Sequence, residues 1–509
     1  MFKFIKMKTQ RQLKRITLLI YVVPFFIFSQ IQIGEDIDGE SERDAFGTQT
    51  CLSLDGSVLA ASGPLAKNTN FDKVVGHVRV FENTGGVWTQ IGNDIDDSSS
   101  IMYRGFGEAL SLSSDGSILA VGAPRDLGTS VDLRGTVLFY ENVGGTWTHM
   151  GEDLVGDAIA DNFGTSVSLS SNGSIVAIAA PGNDVNGQNS GQVKIYENIG
   201  GTWTQIGDDI YGEAANDRIG LASRISISAD GSIVAVGSGT NNGNGSNSGH
   251  VRVFENIDNV WTQIGENIDG EAAGDSSGNP SLSSDGSLLA IGATGNDANG
   301  INSGHVRVFE NVDESWTQIG ENINGGAEFD EFGNLVSLSS DGSVVAISAP
   351  FNSENGSFSG QVKIYKNMNN VWTQIGENIN GEGAGDFSGV AGLSLSSDGT
   401  TVSIGAPGNM ATGEEAGHVR VFDISDLILS ANEVSLESIA IYPNPASKFL
   451  NIELNNSSTL EKVIIYNPIG QLISEKTKTK IDVSNYSKGF YLAEIITDKG
   501  KVVKRFIVE

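Results

Sequence analysis

The chain has one cysteine, Cys51, in 509 residues. No intramolecular disulfide can staple it, so packing must hold it together. Cys51 stands where other copies of a repeated segment carry Ala, Val, Leu or Ser, which marks it as a small core residue. Helical rhythm is missing too: apolar residues do not recur at the 3.6-residue spacing, which argues against helix bundles and α/β folds. Beyond Phe28 no apolar run is long enough to cross a bilayer as a helix, so no transmembrane span is expected.

Positive charge is scarce, with 31 Lys and Arg against 62 Asp and Glu and a formal charge of −31. The first 15 residues carry +6 and the segment from Ile439 onward +3, which leaves −40 on the part between. Such a surface repels nucleic acid and anionic lipid headgroups, favours cations or basic partners, and keeps an exported protein soluble. Histidine is equally sparse. Four of the five, His77, His250, His305 and His418, sit at one place in the segment Gly-His-Val-Arg-Val-Phe. A residue repeated at one place in several units serves the unit, and four such residues on different units cannot converge on one catalytic centre.

What the chain does have is a repeat. Trp88, Trp147, Trp203, Trp261, Trp316 and Trp372 each lie in a near-copy of Trp-Thr-Gln-Ile-Gly, at spacings of 59, 56, 58, 55 and 56 residues. A unit of this size cannot bury its apolar faces alone and must stack on copies of itself. Within a unit the order is constant. Strand A (as in Arg224-Ile225-Ser226-Ile227) leads through Asp230-Gly231 into strand B (Ile233 to Val236). A Gly/Asn/Ser loop follows, then strand C (His250 to Asn256) and the Trp-led strand D. The pairs Asp55-Gly56, Asp115-Gly116, Asn172-Gly173, Asp230-Gly231, Asp285-Gly286, Asp341-Gly342 and Asp398-Gly399 mark seven tight hairpins, with both central residues expected at positive φ.

Strands A to C occur seven times but the Trp-led strand D only six. The seventh set ends at Val419-Arg420-Val421-Phe422 without one, and a solitary copy, Ile31-Gln32-Ile33-Gly34-Glu35-Asp36-Ile37, stands at the other end. The expected fold is therefore all-β: a seven-bladed β-propeller over residues 30–424, closed by an N-terminal strand that docks beside the last strand C and leaves no free edge. Apolar B strands such as Ile118-Leu119-Ala120-Val121 suit sheets covered on both faces. The small residues after them, as in Gly122-Ala123-Pro124 and Gly405-Ala406-Pro407, suit crowded positions.

Phe-Gly near the start of a unit (Phe46-Gly47, Phe106-Gly107, Phe163-Gly164, Phe332-Gly333) together with Gly-Ala-Pro after strand B resembles the FG-GAP repeat, the blade type of integrin α-chain propellers. The resemblance implies an extracellular propeller for adhesion or ligand binding, in some members with calcium in an Asp-rich hairpin loop. Here the hairpin has shrunk to Ser-Ser-Asp-Gly-Ser (Ser113 to Ser117, Ser339 to Ser343), with one carboxylate where a calcium loop needs several oxygens. No metal site or other cofactor is assigned, and calcium stays possible without a place.

The ends carry the address. Six Lys or Arg in residues 1–15, then an apolar run from Ile16 to Phe28 broken by Pro24, give residues 1–29 the layout of a secretory signal peptide. After a linker over 425–438, residues 439–509 alternate strand and turn and are expected to form a small C-terminal β-sandwich. The opening Tyr442-Pro443-Asn444-Pro445, the segment Gly489-Phe490-Tyr491 and the basic Lys504-Arg505 make this tail similar to the type A C-terminal sorting domain of the type IX secretion system of Bacteroidota. The resemblance implies the secretion machinery as a partner and a destination outside the outer membrane, secreted or at the cell surface.

Chemistry is thinner. The link from strand D to the next strand A repeats Gly-Glu-Ala-Ala-x-Asp, placing Asp161, Asp217, Asp275, Asp330 and Asp386 in one position, with Asp44 in the first unit and Arg104 in the second. In an up-and-down blade the D-to-A and B-to-C connections share a face. These aspartates would gather there with loops such as Asn183-Asp184-Val185-Asn186-Gly187 and Asn296-Asp297-Ala298-Asn299-Gly300. They are read as ligand-face candidates, against the alternative that each caps a turn by bonding backbone amides. Asymmetry is mild, confined to Asp96-Asp97, Tyr103-Arg104 and Arg125-Asp126 around the second unit. The expected function is an exported, non-catalytic binding or adhesion propeller for a polysaccharide or protein ligand. The alternative is a secreted polysaccharide-acting enzyme on the same scaffold.

Overall fold

A computed structural model describes residues 30–67, 74–96, 105–125, 134–221, 224–428, 439–454, 459–467, 471–497 and 500–509. The expected signal peptide and Asp97, Tyr103, Arg104 and Asp126 lie outside the described residues. Among the described residues the strands before Ile424 form seven antiparallel sheets, those after Ile439 form two, and no helix is long and apolar enough to cross a membrane.

The third sheet shows the pattern. Strand A is Val167–Leu169, B is Ile175–Ala180, C is Gln192–Ile199 and D is Thr202–Gln205, hydrogen-bonded in that order. Strand D runs further than its Trp motif suggests. After a kink at Gly207 (φ +70°) it returns to strand C as Ile210–Tyr211, so that Val193 faces Ile210. In the seventh sheet strands Leu393–Leu395, Thr401–Ala406 and His418–Asp423 are joined by the N-terminal pieces Ile31–Gln32 and Ile37–Asp38, with Gln32 opposite Phe422 and Ile37 opposite Val419.

Backbone hydrogen bonds pass from one A–B hairpin to the next. Leu54 N donates to Ser114 O (2.8 Å), Ser114 to Ser171, Ser171 to Ala229, Ala229 to Ser284, Ser284 to Ser340 and Ser340 to Ser397, and Asp398 N donates back to Leu54 O at 3.3 Å. Strand-A serines add a second set, with Leu52 N bound to Ser394 Oγ, Leu169 N to Ser111 Oγ and Leu395 N to Ser337 Oγ. On the opposite edge the tryptophans stitch neighbouring D strands. The indole of Trp261 donates to Ile206 O (2.9 Å), that of Trp316 to Ile264 O (3.2 Å), and that of Trp88 to Ile33 O in the N-terminal strand (2.9 Å).

Apolar clusters lie between sheets rather than within them. Ala177, Val193 and Ile195 of the third sheet pack on Ile225, Val234 and Phe254 of the fourth, and Phe46, Leu59 and Phe81 of the first pack on Ile37, Val419 and Val421 of the seventh. The Phe-Gly motif has a steric basis. Phe46, Phe106, Phe163 and Phe332 are fully buried, while the glycine after each takes a φ between +86° and +92°. A Cβ on Gly122, Gly292 or Gly405 would collide with the carbonyl oxygen of Gly164, Gly333 or Gly47, so this glycine, the last residue but one of strand B, lies against the Phe-Gly glycine of an adjacent sheet.

Two sequence expectations are corrected. The Asp-Gly hairpins are not two-residue turns with both residues at positive φ; only the glycine is left-handed, from +66° at Gly342 to +77° at Gly231. The loop is longer, closed by Ser53 N to Val58 O, and the aspartate acts through its side chain. Asp55 Oδ1 accepts from Ser57 N, Ser57 Oγ and Ser53 Oγ at 3.0, 2.6 and 2.9 Å, and these bonds, that of the Ser57 hydroxyl foremost, hold its carboxyl below the usual range. The second concerns the start of the linker. Ile424 and Leu427 are buried in the core between the sixth and seventh sheets, and Lys366 Nζ donates to Ile428 O, so the packed region reaches residue 428.

The tail is two sheets on one core. Ala440–Tyr442, Phe449–Glu453 and Lys480–Asp482 form one sheet; Leu472–Lys476, Leu460–Tyr466, Gly489–Thr497 and Gly500–Val508 form the other. Leu450, Ile465, Ile481, Ala493 and Phe506 are buried between them.

Candidate functional site

The repeated aspartates do meet the B-to-C loops. Asp161, Asp217, Asp275, Asp330 and Asp386 are 5% exposed or less. Their carboxylates turn to backbone: Asp217 Oδ2 accepts from Glu213 N (2.9 Å) and Ala214 N (2.8 Å), and Asp386 Oδ2 from Glu382 N and Gly383 N. Asp161, Asp275 and Asp330 each accept from the amide three residues before. An asparagine after strand B completes each, with Asn241 Nδ2 on Asp217 and Asn183 Nδ2 on Asp161 at 3.2 Å, joining the two connections of one unit. Burial raises the carboxyls of Asp161 and Asp44 above the usual range. Replacing Asp217 with Ala orphans two amides and Asn241, and is expected to cost about 1–3 kcal/mol in denaturant unfolding. A loss of ligand binding at unchanged stability would instead mark Asp217 as a ligand group.

The described histidines of the repeat, His77, His250, His305 and His418, are 5% exposed or less at the start of strand C, each on a different sheet. Burial holds all four below the ordinary imidazole value, to about 4 for His77 and about 3 for His250. The arginine two residues on reaches across to the preceding sheet: Arg307 donates to Asp269 O (2.7 Å) and Arg420 to Asn380 O (2.6 Å). Sheets 3 and 6 carry Gln192 with Lys194 and Gln361 with Lys363 at these places. Among the described residues His and carboxylate donors draw together in three places, Asp36–Glu382–His418, Glu40–His77–Asp94 and Glu271–Asp275–His305.

A different site breaks the repeat. The distance from the Phe-Gly glycine to the hairpin glycine is constant in most units, as from Gly164 to Gly173. It is two residues longer in the fourth (Gly220 to Gly231), one shorter in the fifth (Gly278 to Gly286) and one longer in the seventh (Gly389 to Gly399). These differences fall where strand A begins, and there a cavity of about 600 Å³ opens on the face of the D-to-A links. Arg125 Nε pairs with Glu108 Oε2 at 3.2 Å, and Arg224 Nε donates to Asn279 Oδ1 at 2.9 Å while Asn279 Nδ2 donates to Gly333 O. Burial pushes the Arg224 guanidinium down to about 10 and raises the carboxyls of Glu108 and Glu331, which share the cavity wall. Two guanidiniums, two carboxyls and several amides around one opening can grip a hydroxyl-rich or charged ligand by hydrogen bonds and charge. Of these Arg125 stands out in the sequence, Arg224 and Asn279 fall in units of altered length, and Glu108 and Glu331 lie in units of the ordinary length without a sequence signal.

In the tail, Asn444 pins the last strand, accepting from Ile507 N (2.9 Å) and donating to Arg505 O (3.2 Å). Tyr491 is buried against Phe506, and the Arg505 guanidinium lies 4.6 Å over the Phe490 ring. Tyr442 and Phe490 remain exposed, Pro443 and Pro445 stand beside Asn444 in the surface turn, Gly489 starts its strand and Lys504 lies in the last one.

Residues 440–509 match the family model of the secretion system C-terminal sorting domain. The tail expectation holds, and the match supports export by the type IX secretion system, with the chain destined for the cell surface or the medium. No curated protein matches the chain in sequence. Among solved structures it is similar to Kuenenia stuttgartiensis hydrazine synthase, with 13% identity, 77% of this chain and 97% of that one covered, and a TM-score of 0.48. It is also similar to the RRP9 WD40 repeats (11%, 78% and 97%, 0.46) and to the periplasmic gluconolactonase of Pseudomonas aeruginosa (18%, 66% and 85%, 0.43).

Proposed function

We propose that this chain is an exported binding or adhesion protein without catalytic activity, delivered by its sorting domain, which holds a polysaccharide or protein ligand on its loop face. The observation that carries this is the polar opening lined by all seven units, where the start of strand A departs in length in the fourth, fifth and seventh and brings Arg224 and Asn279 to its wall. The seven sheets are taken as FG-GAP-like blades of a ring closed by the N-terminal strand. Support comes from the hydrogen bonds that run hairpin to hairpin and return from Asp398 to Leu54, and from the pairing of Ile31 with Asp423. The ligand-face role of Asp161, Asp217, Asp275, Asp330 and Asp386 is retained only through the loops they brace, since their own oxygens face inward.

One observation favours a second reading, a secreted polysaccharide-acting enzyme: Glu108 and Glu331, both with carboxyls raised by burial, share one opening, and either would serve as a general acid there. The experiment is binding of the exported chain to arrays of glycans and cell-surface proteins, with and without calcium, while each glycan is monitored for cleavage. Saturable binding without turnover, weakened at least tenfold by Arg224→Gln, is expected. Cleavage of any glycan, abolished by Glu108→Gln or Glu331→Gln, would overturn the binding role in favour of the enzyme.

A further inference from the structure

We propose that Asp36, Glu382 and His418 bind one divalent transition-metal ion, which ties the N-terminal strand to the last sheet. The three donors come from distant parts of the chain: Asp36 from the N-terminal segment, Glu382 from the link into the seventh unit, His418 from the start of its strand C. Their donor atoms lie within 4.8 Å of one another. His418 Nδ1 stands 3.5 Å from Asp36 Oδ2 and 3.9 Å from Glu382 Oε2. A zinc ion with bonds of about 2.1 Å spaces tetrahedral donors about 3.4 Å apart, close to these separations.

The surrounding groups aim the donors. Gln32 Nε2 holds Asp36 Oδ1 at 2.7 Å and Arg420 Nη1 faces Glu382 Oε1 at 3.8 Å, so the other oxygen of each carboxylate is the one turned toward the histidine. His418 is fully buried, and neither of its ring nitrogens has a hydrogen-bond partner. A buried nitrogen in that state costs free energy unless something coordinates it.

The fourth and fifth units show the junction with an amide in place of the acid, although the fifth still gathers Glu271 and Asp275 at His305, and the first keeps an acid, Asp94, beside His77 and Glu40. In the fourth and fifth units the residue matching Asp36 is Asn267 or Asn322. Its Nδ2 donates to Glu213 or Glu271 Oε2 at 2.9 Å and lies 3.5 Å from the histidine Nδ1. There an amide fills the junction. Aspartate has no amide hydrogens to offer, so in the seventh unit two carboxyl groups crowd one imidazole, with Asp36 Oδ2 and Glu382 Oε2 both facing Nδ1. With Arg420 beside them the three acids Asp36, Glu382 and Asp386 leave a net charge of about −2, which one divalent ion cancels. One nitrogen and two carboxylate oxygens suit zinc or manganese; calcium prefers six or more oxygens.

The test uses the full exported chain stripped with chelator and titrated with zinc, read by bound metal after gel filtration and by the unfolding midpoint. Asp36→Asn installs the amide found in the fourth and fifth units and is expected to fold. It should hold one zinc fewer per chain than the native protein and lose the zinc-dependent rise in midpoint, and His418→Gln should do the same. Equal zinc content and equal midpoint shift in the native chain and Asp36→Asn would overturn the proposal, as would native protein that binds no zinc.

Discussion

A chain lacking residues 30–38 is expected to lose on the order of 5 kcal/mol or more of unfolding free energy, comparable with the whole stability of many domains. The segment supplies the fourth strand of the seventh sheet. Ile33 N donates to Val421 O (2.7 Å) and Ile37 is 8% exposed in the core shared by the first and seventh sheets. It also accepts from two directions: the Trp88 indole binds Ile33 O, and the Arg79 guanidinium binds Asp38 O. Burial of Ile37 at about 2 kcal/mol, part-burial of Ile33 at about 1 kcal/mol and several hydrogen bonds at about 1 kcal/mol each give the estimate. Removal exposes His418–Asp423 as an unpaired strand edge, so association between chains should accompany the loss. Urea unfolding and light scattering of the truncated chain, against one beginning at residue 30, are the measurements. A synthetic 30–38 peptide added in trans should restore part of the stability. An unchanged midpoint would mean that the strand decorates the last sheet without holding it.

Much of this architecture could be read because the repeat spells it out. The Trp motif marks strand D by its indole, whose N–H reaches the neighbouring sheet in four described copies. The unmatched Ile31 to Ile37 copy announced its own partner by elimination. The Phe-Gly glycines and those at the end of strand B were visible as a motif, though their reason, backbone against backbone between sheets, belongs to three dimensions. The backbone preference of Asp-Gly alone does not give the hairpin. In the fold the Asp side chain, bonded to two serine hydroxyls and an amide, shapes a longer turn.

The sites were harder to see for a related reason. Repetition drew attention to Asp161, Asp217, Asp275, Asp330 and Asp386, and repeated residues mostly brace the unit, as their bonds to backbone amides do. The informative residues are the departures. Arg224 belongs to a two-residue insertion and Asn279 to a deletion, which shift no motif and alter only a spacing. Asp36 differs from Asn267 and Asn322 by a single amide, a change that acquires meaning only beside Glu382 and His418.

Replacing His250 and His305 by Gln should flatten the fall of stability with acid. Both side chains are at most 1% exposed. Burial, with Arg252 or Arg307 beside them, depresses their pKa in the folded chain, to about 3 for His250. In the unfolded chain each titrates near 6.5. Between those values the unfolded state takes up a proton that the folded state refuses. The contribution is therefore fully present above about pH 6.5 and is lost on acidification, at up to about 1.4 kcal/mol per pH unit for each histidine. Nearby acids do not reverse this. Glu213 and Asp269 face His250 at 3.6 and 4.0 Å, and Glu271 faces His305 at 3.7 Å with Asp275 close by. Their attraction for the imidazolium is outweighed by its desolvation. Asp269, whose own carboxyl is raised by burial, works the other way only nearer its ordinary range, where the folded state holds the extra proton. Glutamine is the replacement the fold already uses, since Gln192 and Gln361 stand at this place in the third and sixth sheets. Urea unfolding between about pH 7.5 and pH 5, with chelator present to keep the Asp36–His418 junction free of metal, should show the slope of the double variant reduced by up to about 2.8 kcal/mol per pH unit. A double variant as acid-sensitive as its parent would mean that these imidazoles accept protons in the folded chain, and that the acid lability comes from elsewhere in the chain.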